Sequence, residues 1–167
     1  MRDDPIILLA EDREDDVLLI RRAFERADRD HRIQVVHDGD QAVAYLAGQA
    51  EYADRIRYPF PDLLLLDLKM PRLDGFEVLK WIRQHPVLSP LRVIVLTSSD
   101  QIRDVNLAYQ LGANAFLVKP VEFDGFVQLV QMLEYWLQMT KAPQVPGPIP
   151  IALAPTTNPQ SLSPPPP

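Results

Sequence analysis

Residues 63–75 read Leu-Leu-Leu-Leu-Asp-Leu-Lys-Met-Pro-Arg-Leu-Asp-Gly: four leucines run without interruption into Asp67, and a turn-rich stretch closes on Asp74-Gly75. A strand with one face in water alternates apolar and polar residues. A strand covered on both faces reads as a continuous apolar run, the mark of a parallel sheet. Directly after this run, Phe76, Leu79 and Ile82 recur at helical spacing. The unit repeats along the chain. Ile6–Ala10, Ile33–His37, Val93–Leu96 and Ala115–Val118 are further strand-like runs. The segments following them carry helical stripes: Val17, Ile20, Phe24 and Ala27; Ala42, Val43 and Leu46; Ile102, Val105, Ala108 and Tyr109; Phe126, Leu129 or Val130, Leu133 and Leu137. Pro86 stops the third helix after His85, Gly112 lies just past the fourth, and Asp100 stands in the fourth helix's N-cap region. Asp74 and Gly75 make a turn and helix start, with Gly75 lending backbone freedom. Five strand–helix alternations predict an α/β fold, a doubly wound parallel sheet.

The residues that end the strands carry the chemistry. The first run leads into Glu11 and Asp12, the third into Asp67, the fourth into Thr97 and Ser98, and the fifth into Lys119 and Pro120. Ligands of open α/β sheets bind outside the carboxyl ends of the strands. Core packing gives no reason for three acids, a hydroxyl and a lysine to meet at that edge. Three clustered carboxylates repel one another, and a hard divalent cation relieves this. Mg²⁺ fits, with Mn²⁺ or Ca²⁺ able to substitute. Asp12 and Asp67 are the natural direct ligands, with Glu11 holding a metal-bound water or adding charge. A carboxylate beside such a cation can act as a nucleophile toward phosphorus. Asp67 is the candidate, with the Lys119 ammonium and the Thr97 hydroxyl serving the phosphoryl oxygens.

Composition narrows the alternatives. A chain of 167 residues, 47% hydrophobic and 24% charged, is long enough for one well-filled domain. A net charge of -6 argues against nucleic-acid binding, which wants a basic face. The absence of cysteine excludes disulfides, thiolate metal sites and cysteine nucleophiles. The first apolar run, Ile6–Ala10, is too short for a signal peptide or a membrane span, so a cytoplasmic location is expected. Residues 4–141 form the expected domain. Residues 142–167 carry no charge and end in four prolines, a composition that predicts a disordered or polyproline-II tail. A docking site for a proline-binding partner is the functional alternative for that tail.

With Glu11-Asp12, Asp67-Leu-Lys-Met-Pro71-Arg-Leu-Asp74-Gly75, Thr97-Ser98 and Lys119-Pro120 in order at the strand ends, the chain resembles the receiver domain of two-component response regulators over about residues 5–140. The resemblance implies a flavodoxin-like five-stranded sheet in the order 2-1-3-4-5 and Asp67 as phosphoacceptor. It implies a metal held by Asp12, Asp67 and the backbone carbonyl of Lys69, and a cis Lys119–Pro120 bond. It also makes Phe116 the switch aromatic, turning inward as the Thr97 hydroxyl moves toward a phosphoryl group; otherwise Phe116 is an ordinary strand side chain. The long approach Ala47–Pro61, with Tyr52, Pro59, Phe60 and Pro61, together with Tyr135-Trp136, resembles the single-domain regulators that partner bacterial phytochrome histidine kinases. The implied donor is then a phosphohistidine on such a sensor kinase. The implied output is a phosphorylation-dependent change of the face made by the fourth helix, fifth strand and fifth helix.

Tyr135, Trp136 and Leu137 sweep too wide an arc for one buried helix face. Either Trp136 caps the domain edge, or Tyr135 and Trp136 lie in a homodimer interface, the preferred expectation. None of His31, His37 and His85 has metal-ligand spacing, and Arg21, Arg22, Glu25 and Arg26 read as a solvated helix face. Two other functions compete with a phosphoacceptor that is not itself an enzyme in the usual sense. A phosphatase of the haloacid-dehalogenase type needs a second Asp two positions after the nucleophile, where this chain has Lys69. A phosphorylation-independent scaffold has no use for a full set of buried acids, which cost stability.

Overall fold

Each apolar run becomes a strand in the computed structural model, which describes residues 4–27 and 32–144. In chain order the elements are β1 (Ile6–Ala10), α1 (Glu14–Arg26), β2 (Arg32–Val36), α2 (Gly39–Ala47), β3 (Leu63–Leu66), α3 (Gly75–Gln84), β4 (Val93–Thr97), α4 (Ile102–Gln110), β5 (Ala115–Val118) and α5 (Phe123–Met139). The strands are all parallel, in the order β2-β1-β3-β4-β5 that the resemblance implies. Alternate residues of each strand point to opposite faces, and both faces are covered. Leu8, Leu64, Leu66, Val93 and Val95 pack under α2 and α3, against Tyr45, Leu46, Val78, Leu79 and Ile82. Ile7, Leu9, Leu63, Leu65, Ile94 and Leu96 pack against Val17, Ile20 and Phe24 of α1 and Phe126, Val130 and Leu133 of α5. Each fully buried leucine contributes roughly 1.5–3 kcal/mol of burial. The sequence of β3 is uniform because it sits in the middle of the sheet, between β1 and β4.

Several expectations change. In α4 only Ala108 is buried, while Ile102 and Tyr109 of the same stripe are 71% and 50% exposed. The stripe is real, but the sheet edge does not cover it. Asp100 does not cap α4. The N-cap is Gln101, without a side-chain bond, and Ser99 secures the helix start instead. The Ser99 hydroxyl donates to Asp104 at 2.6 Å and accepts from the Gln101 N–H at 3.4 Å. Gly75 begins α3 as expected, behind an Asp74–Glu77 capping box, but not through backbone freedom, since positive φ belongs to Gly48 and Gly112 among the glycines. A Cβ on Gly75 would stand 2.2 Å from the Asp67 carbonyl oxygen, so glycine is required by the close approach of α3 to the β3 terminus.

The long Ala47–Pro61 connection is tied down by one arginine. Arg55 donates to the carbonyls of Tyr45 (2.8 Å), which also accepts from the Gly48 N–H, and Leu46 (2.9 Å) in the last turn of α2. The Tyr45 hydroxyl donates to the Pro59 carbonyl, and the rings of Tyr45, Tyr52 and Tyr58 pack together. Just past that connection the Arg92 guanidinium lies over the Trp136 ring, 5.1 Å from its centroid, and donates to the Asp62 carbonyl and the Thr140 hydroxyl. Trp136 is thus half-buried and held within the chain, while Tyr135 is 66% exposed. Arg21, Arg22, Glu25 and Arg26 are exposed as expected. The expected tail lies outside the described residues beyond Gln144, as does His31.

Candidate functional site

Strand ends deliver the site. The Glu11 N–H donates to the Val36 carbonyl and the Asp67 N–H to the Ala10 carbonyl, so both acids continue the backbone ladders past β1 and β3. On the other side, the Lys119 N–H donates to the Thr97 carbonyl at 2.7 Å, which sets the lysine beside β4. Glu11, Asp67 and Thr97 are buried, and Asp12 is exposed. The Lys119 ammonium, its side chain 6% exposed, stands 2.5 Å from a Glu11 oxygen, 2.9 Å from Asp16 and 3.1 Å from Asp67. A second Glu11 oxygen accepts from the Arg13 N–H.

Glu11, Asp12 and Asp67 each offer a carboxylate oxygen within 4.8 Å of the others. With Asp16, three carboxylates share one ammonium, and Asp12 stands beside two of them. The charge is unbalanced, and the donors are all hard oxygens, so the set fits Mg²⁺, Mn²⁺ or Ca²⁺. The imbalance shows in the titration of the site. Glu11 is pushed up from 4.5 to about 7, first by burial and further by the Asp67 charge, while the Lys119 hydrogen bond opposes the shift. For Lys119 burial works against the charged form, yet its bonds to Glu11 and Asp16 and the Asp67 charge outweigh this and raise it.

A stability trend follows. Without metal, the folded protein keeps a proton on Glu11 that the unfolded chain releases above 4.5. That contribution is therefore full below 4.5 and lost as pH rises through 7. In EDTA the urea midpoint is expected to fall between pH 5.5 and 8, by about 2 kcal/mol of stability. Saturating Mg²⁺ binds the ionised form and is expected to remove the fall. An EDTA profile in which wild type and Glu11→Gln run parallel would contradict this account of Glu11.

The remaining expected residues are near but differently placed. Phe116 lies opposite Val95, partly buried, and its N–H donates to the Tyr109 hydroxyl of α4 at 3.2 Å. Lys69 is exposed, and its N–H reaches an Asp67 oxygen at 3.4 Å. The expected cis Lys119–Pro120 bond is corrected: among the described residues there is no cis peptide bond. Trans is favoured at X–Pro by only about 0.5–1 kcal/mol, and the trans chain already brings the ammonium to all three carboxylates. Asp16 was not expected at the site. It sits in the first turn of α1 with Glu14 and Asp15, where acids suit the helix dipole, and nothing in the spacing separates it from them. His37 pairs with Glu14 and His85 with the Trp81 carbonyl.

Comparison with known proteins agrees with the geometry. The family profile "Response regulator receiver domain" matches residues 7–131, and the chain belongs to that family. The response regulator Rcp1 of Synechocystis sp. is 37% identical over 139 residues, 83% of this chain and 92% of Rcp1. The Mn²⁺-bound crystal structure of Rcp1 superposes with a TM-score of 0.75 and covers 84% of this chain and 99% of that one. The phosphorylated cyanobacterial phytochrome response regulator RcpA is 35% identical with a TM-score of 0.77, over 84% of this chain and 99% of its own. RPA3017, a response regulator in red light signaling of R. palustris, is 37% identical with a TM-score of 0.80 over the same shares. The chain is thus a receiver-type response regulator similar to phytochrome response regulators, a signalling protein of a family that binds a divalent metal. Among the described residues no helix is long and apolar enough to cross a membrane.

Proposed function

We propose that Asp67 is the phosphoacceptor and that a sensor histidine kinase of the phytochrome type is the donor. The observation that carries the reading is the Lys119 ammonium, buried, bonded to Asp67 and flanked by the acid cluster. An Asp67 oxygen attacks phosphorus, the bond from phosphorus to the donor imidazole nitrogen breaks, and its electron pair leaves with the imidazole. Lys119 and the Thr97 hydroxyl neutralise the charge gathering on the phosphoryl oxygens. Asp12, Asp67, Glu11 and the Lys69 carbonyl would hold the Mg²⁺. When bound, that ion offsets the negative charge of the carboxylates and the incoming phosphoryl group. The same groups support acceptance from small-molecule donors and later loss to water. Residues 4–141 act as the receiver unit, in the cytoplasm.

The phytochrome reading rests on the relatives and on the Arg55-clamped connection. Phosphotransfer from a phytochrome-type kinase is expected to run at least about tenfold faster than from an unrelated histidine kinase. Equal rates would remove the phytochrome part and leave the acceptor chemistry. For output, α4, β5 and α5 carry the exposed apolar residues Ile102, Leu107, Tyr109, Val118, Met132, Tyr135 and Met139, while Leu18, Ile56 and Val121 are exposed elsewhere. Met132, Tyr135 and Met139 share one stripe of α5, which supports a homodimer through Tyr135. The bond from the Phe116 N–H to Tyr109 of α4 supports a role for Phe116 in passing the state of Thr97 to this face. Tyr135→Lys is expected to give a monomer by sedimentation; a wild type already monomeric at high concentration, phosphorylated or not, would rule the dimer out.

A further inference from the structure

Lys119 has three ammonium protons and three carboxylates within 3.1 Å. Two of the three, Glu11 and Asp67, belong to the acid cluster that offers oxygens to a cation. Asp16 does not. It nevertheless accepts from the Lys119 Nζ at 2.9 Å, closer than Asp67 at 3.1 Å, from a side chain only 14% exposed. Its other charged neighbour, Arg13, is 64% exposed and at the 4.0 Å margin. A cation drawn to Glu11 and Asp67 competes with Lys119 for their oxygens. Asp16 stands outside that competition. A lysine stem is flexible, and its ammonium holds a direction only when something fixes it.

We propose that Asp16 is a positioning residue: its carboxylate anchors the Lys119 ammonium from the first turn of α1, leaving another N–H directed at Asp67, where a phosphoryl oxygen would arrive. The inference rests on the phosphoacceptor reading of Asp67. The anchor itself is a property of the Asp16–Lys119 pair. Asp16 acts through its acceptor oxygen, so Asn retains the role and Ala loses it. A first-turn acid serving only the helix dipole behaves otherwise: Asn and Ala remove the same charge and have the same effect.

Two readouts test this on the full chain in saturating Mg²⁺. The first is the rate of phosphoryl gain from acetyl phosphate, with Mg²⁺ affinity measured alongside by calorimetry. Asp16→Ala is expected to be about tenfold slower, and Asp16→Asn within about threefold of wild type. Both are expected to bind Mg²⁺ within about twofold of wild type, since Asp16 offers the cation nothing. The second is acylation of Lys119 by an amine-reactive ester, followed by peptide mass. Asp16→Ala is expected to label several-fold faster than wild type and Asp16→Asn close to it. Equal labelling of all three proteins overturns the anchor, as does a loss of Mg²⁺ affinity that matches the loss of rate. A wild type that takes no phosphoryl group, with Lys119 labelling still faster in Asp16→Ala, sinks the phosphoacceptor reading and supports the anchor.

Discussion

Asp67→Asn is expected to take no phosphoryl group and, in EDTA, to unfold at higher urea than the wild type. The first result follows from chemistry. An amide oxygen is a poor nucleophile toward phosphorus. Among the described residues, the other side chain that stands both against Lys119 and in the acid cluster is Glu11, which is deeply buried and held by Lys119 and the Arg13 N–H. The second follows from charge. Three carboxylates share one ammonium, Asp12 lies beside Glu11 and Asp67, and the Asp67 charge is among the causes that push Glu11 up to about 7. Asn keeps an acceptor for Lys119 and removes one negative charge, so the metal-free protein should gain about 1–2 kcal/mol. The gain by added Mg²⁺ should shrink with it, because one oxygen ligand has lost its charge. Urea titrations of both proteins in EDTA and in Mg²⁺ check this. A variant less stable than wild type in EDTA would mean that the Asp67–Lys119 bond outweighs the repulsion.

Lys119→Ala should have the opposite sign and a larger size. It removes the cation that Glu11, Asp16 and Asp67 share, and Glu11 and Asp67 are buried. Breaking a buried ion pair from one side costs about 3–5 kcal/mol, because the partner is left charged in a poor solvent. Part of the cost is avoidable by protonation, so the loss in EDTA should be smallest near pH 5.5 and grow toward pH 8. Mg²⁺ should recover part of the stability, since it supplies the missing positive charge. Phosphoryl gain should stay slow even in Mg²⁺, because the oxygens facing the lysine lose their partner. A loss below about 1 kcal/mol at pH 8 in EDTA would mean that water already screens the cluster.

The parts of the fold legible in the chain were those fixed by burial on both faces. β1 and β3 run from Ile6 and Leu63 as the apolar runs do, because a central parallel strand tolerates nothing polar, and the edge strand β5 also follows its apolar run from Ala115. β4 reaches one residue further, to Thr97, because a threonine pairs in a ladder as well as any β-branched residue. α4 was legible as a helix but not in its burial. Spacing announces an apolar stripe at Ile102, Val105, Ala108 and Tyr109 without saying what covers it, and only Ala108 is covered. At the site, Glu11, Asp12, Asp67, Thr97 and Lys119 were legible because each ends a strand at one sheet edge. Asp16 was not, because it reaches Lys119 across 103 residues of chain from a helix turn whose acids all look alike. The Lys119–Pro120 isomer was not legible either, since the two forms differ by so little.

The most direct test of the central claim is the intact mass of the wild type after incubation with acetyl phosphate, with Mg²⁺ and with EDTA. The account predicts the gain of a single phosphoryl group that requires Mg²⁺, is removed by hydroxylamine, and is absent from Asp67→Asn. No adduct in Mg²⁺, or an adduct that persists in Asp67→Asn, would contradict it.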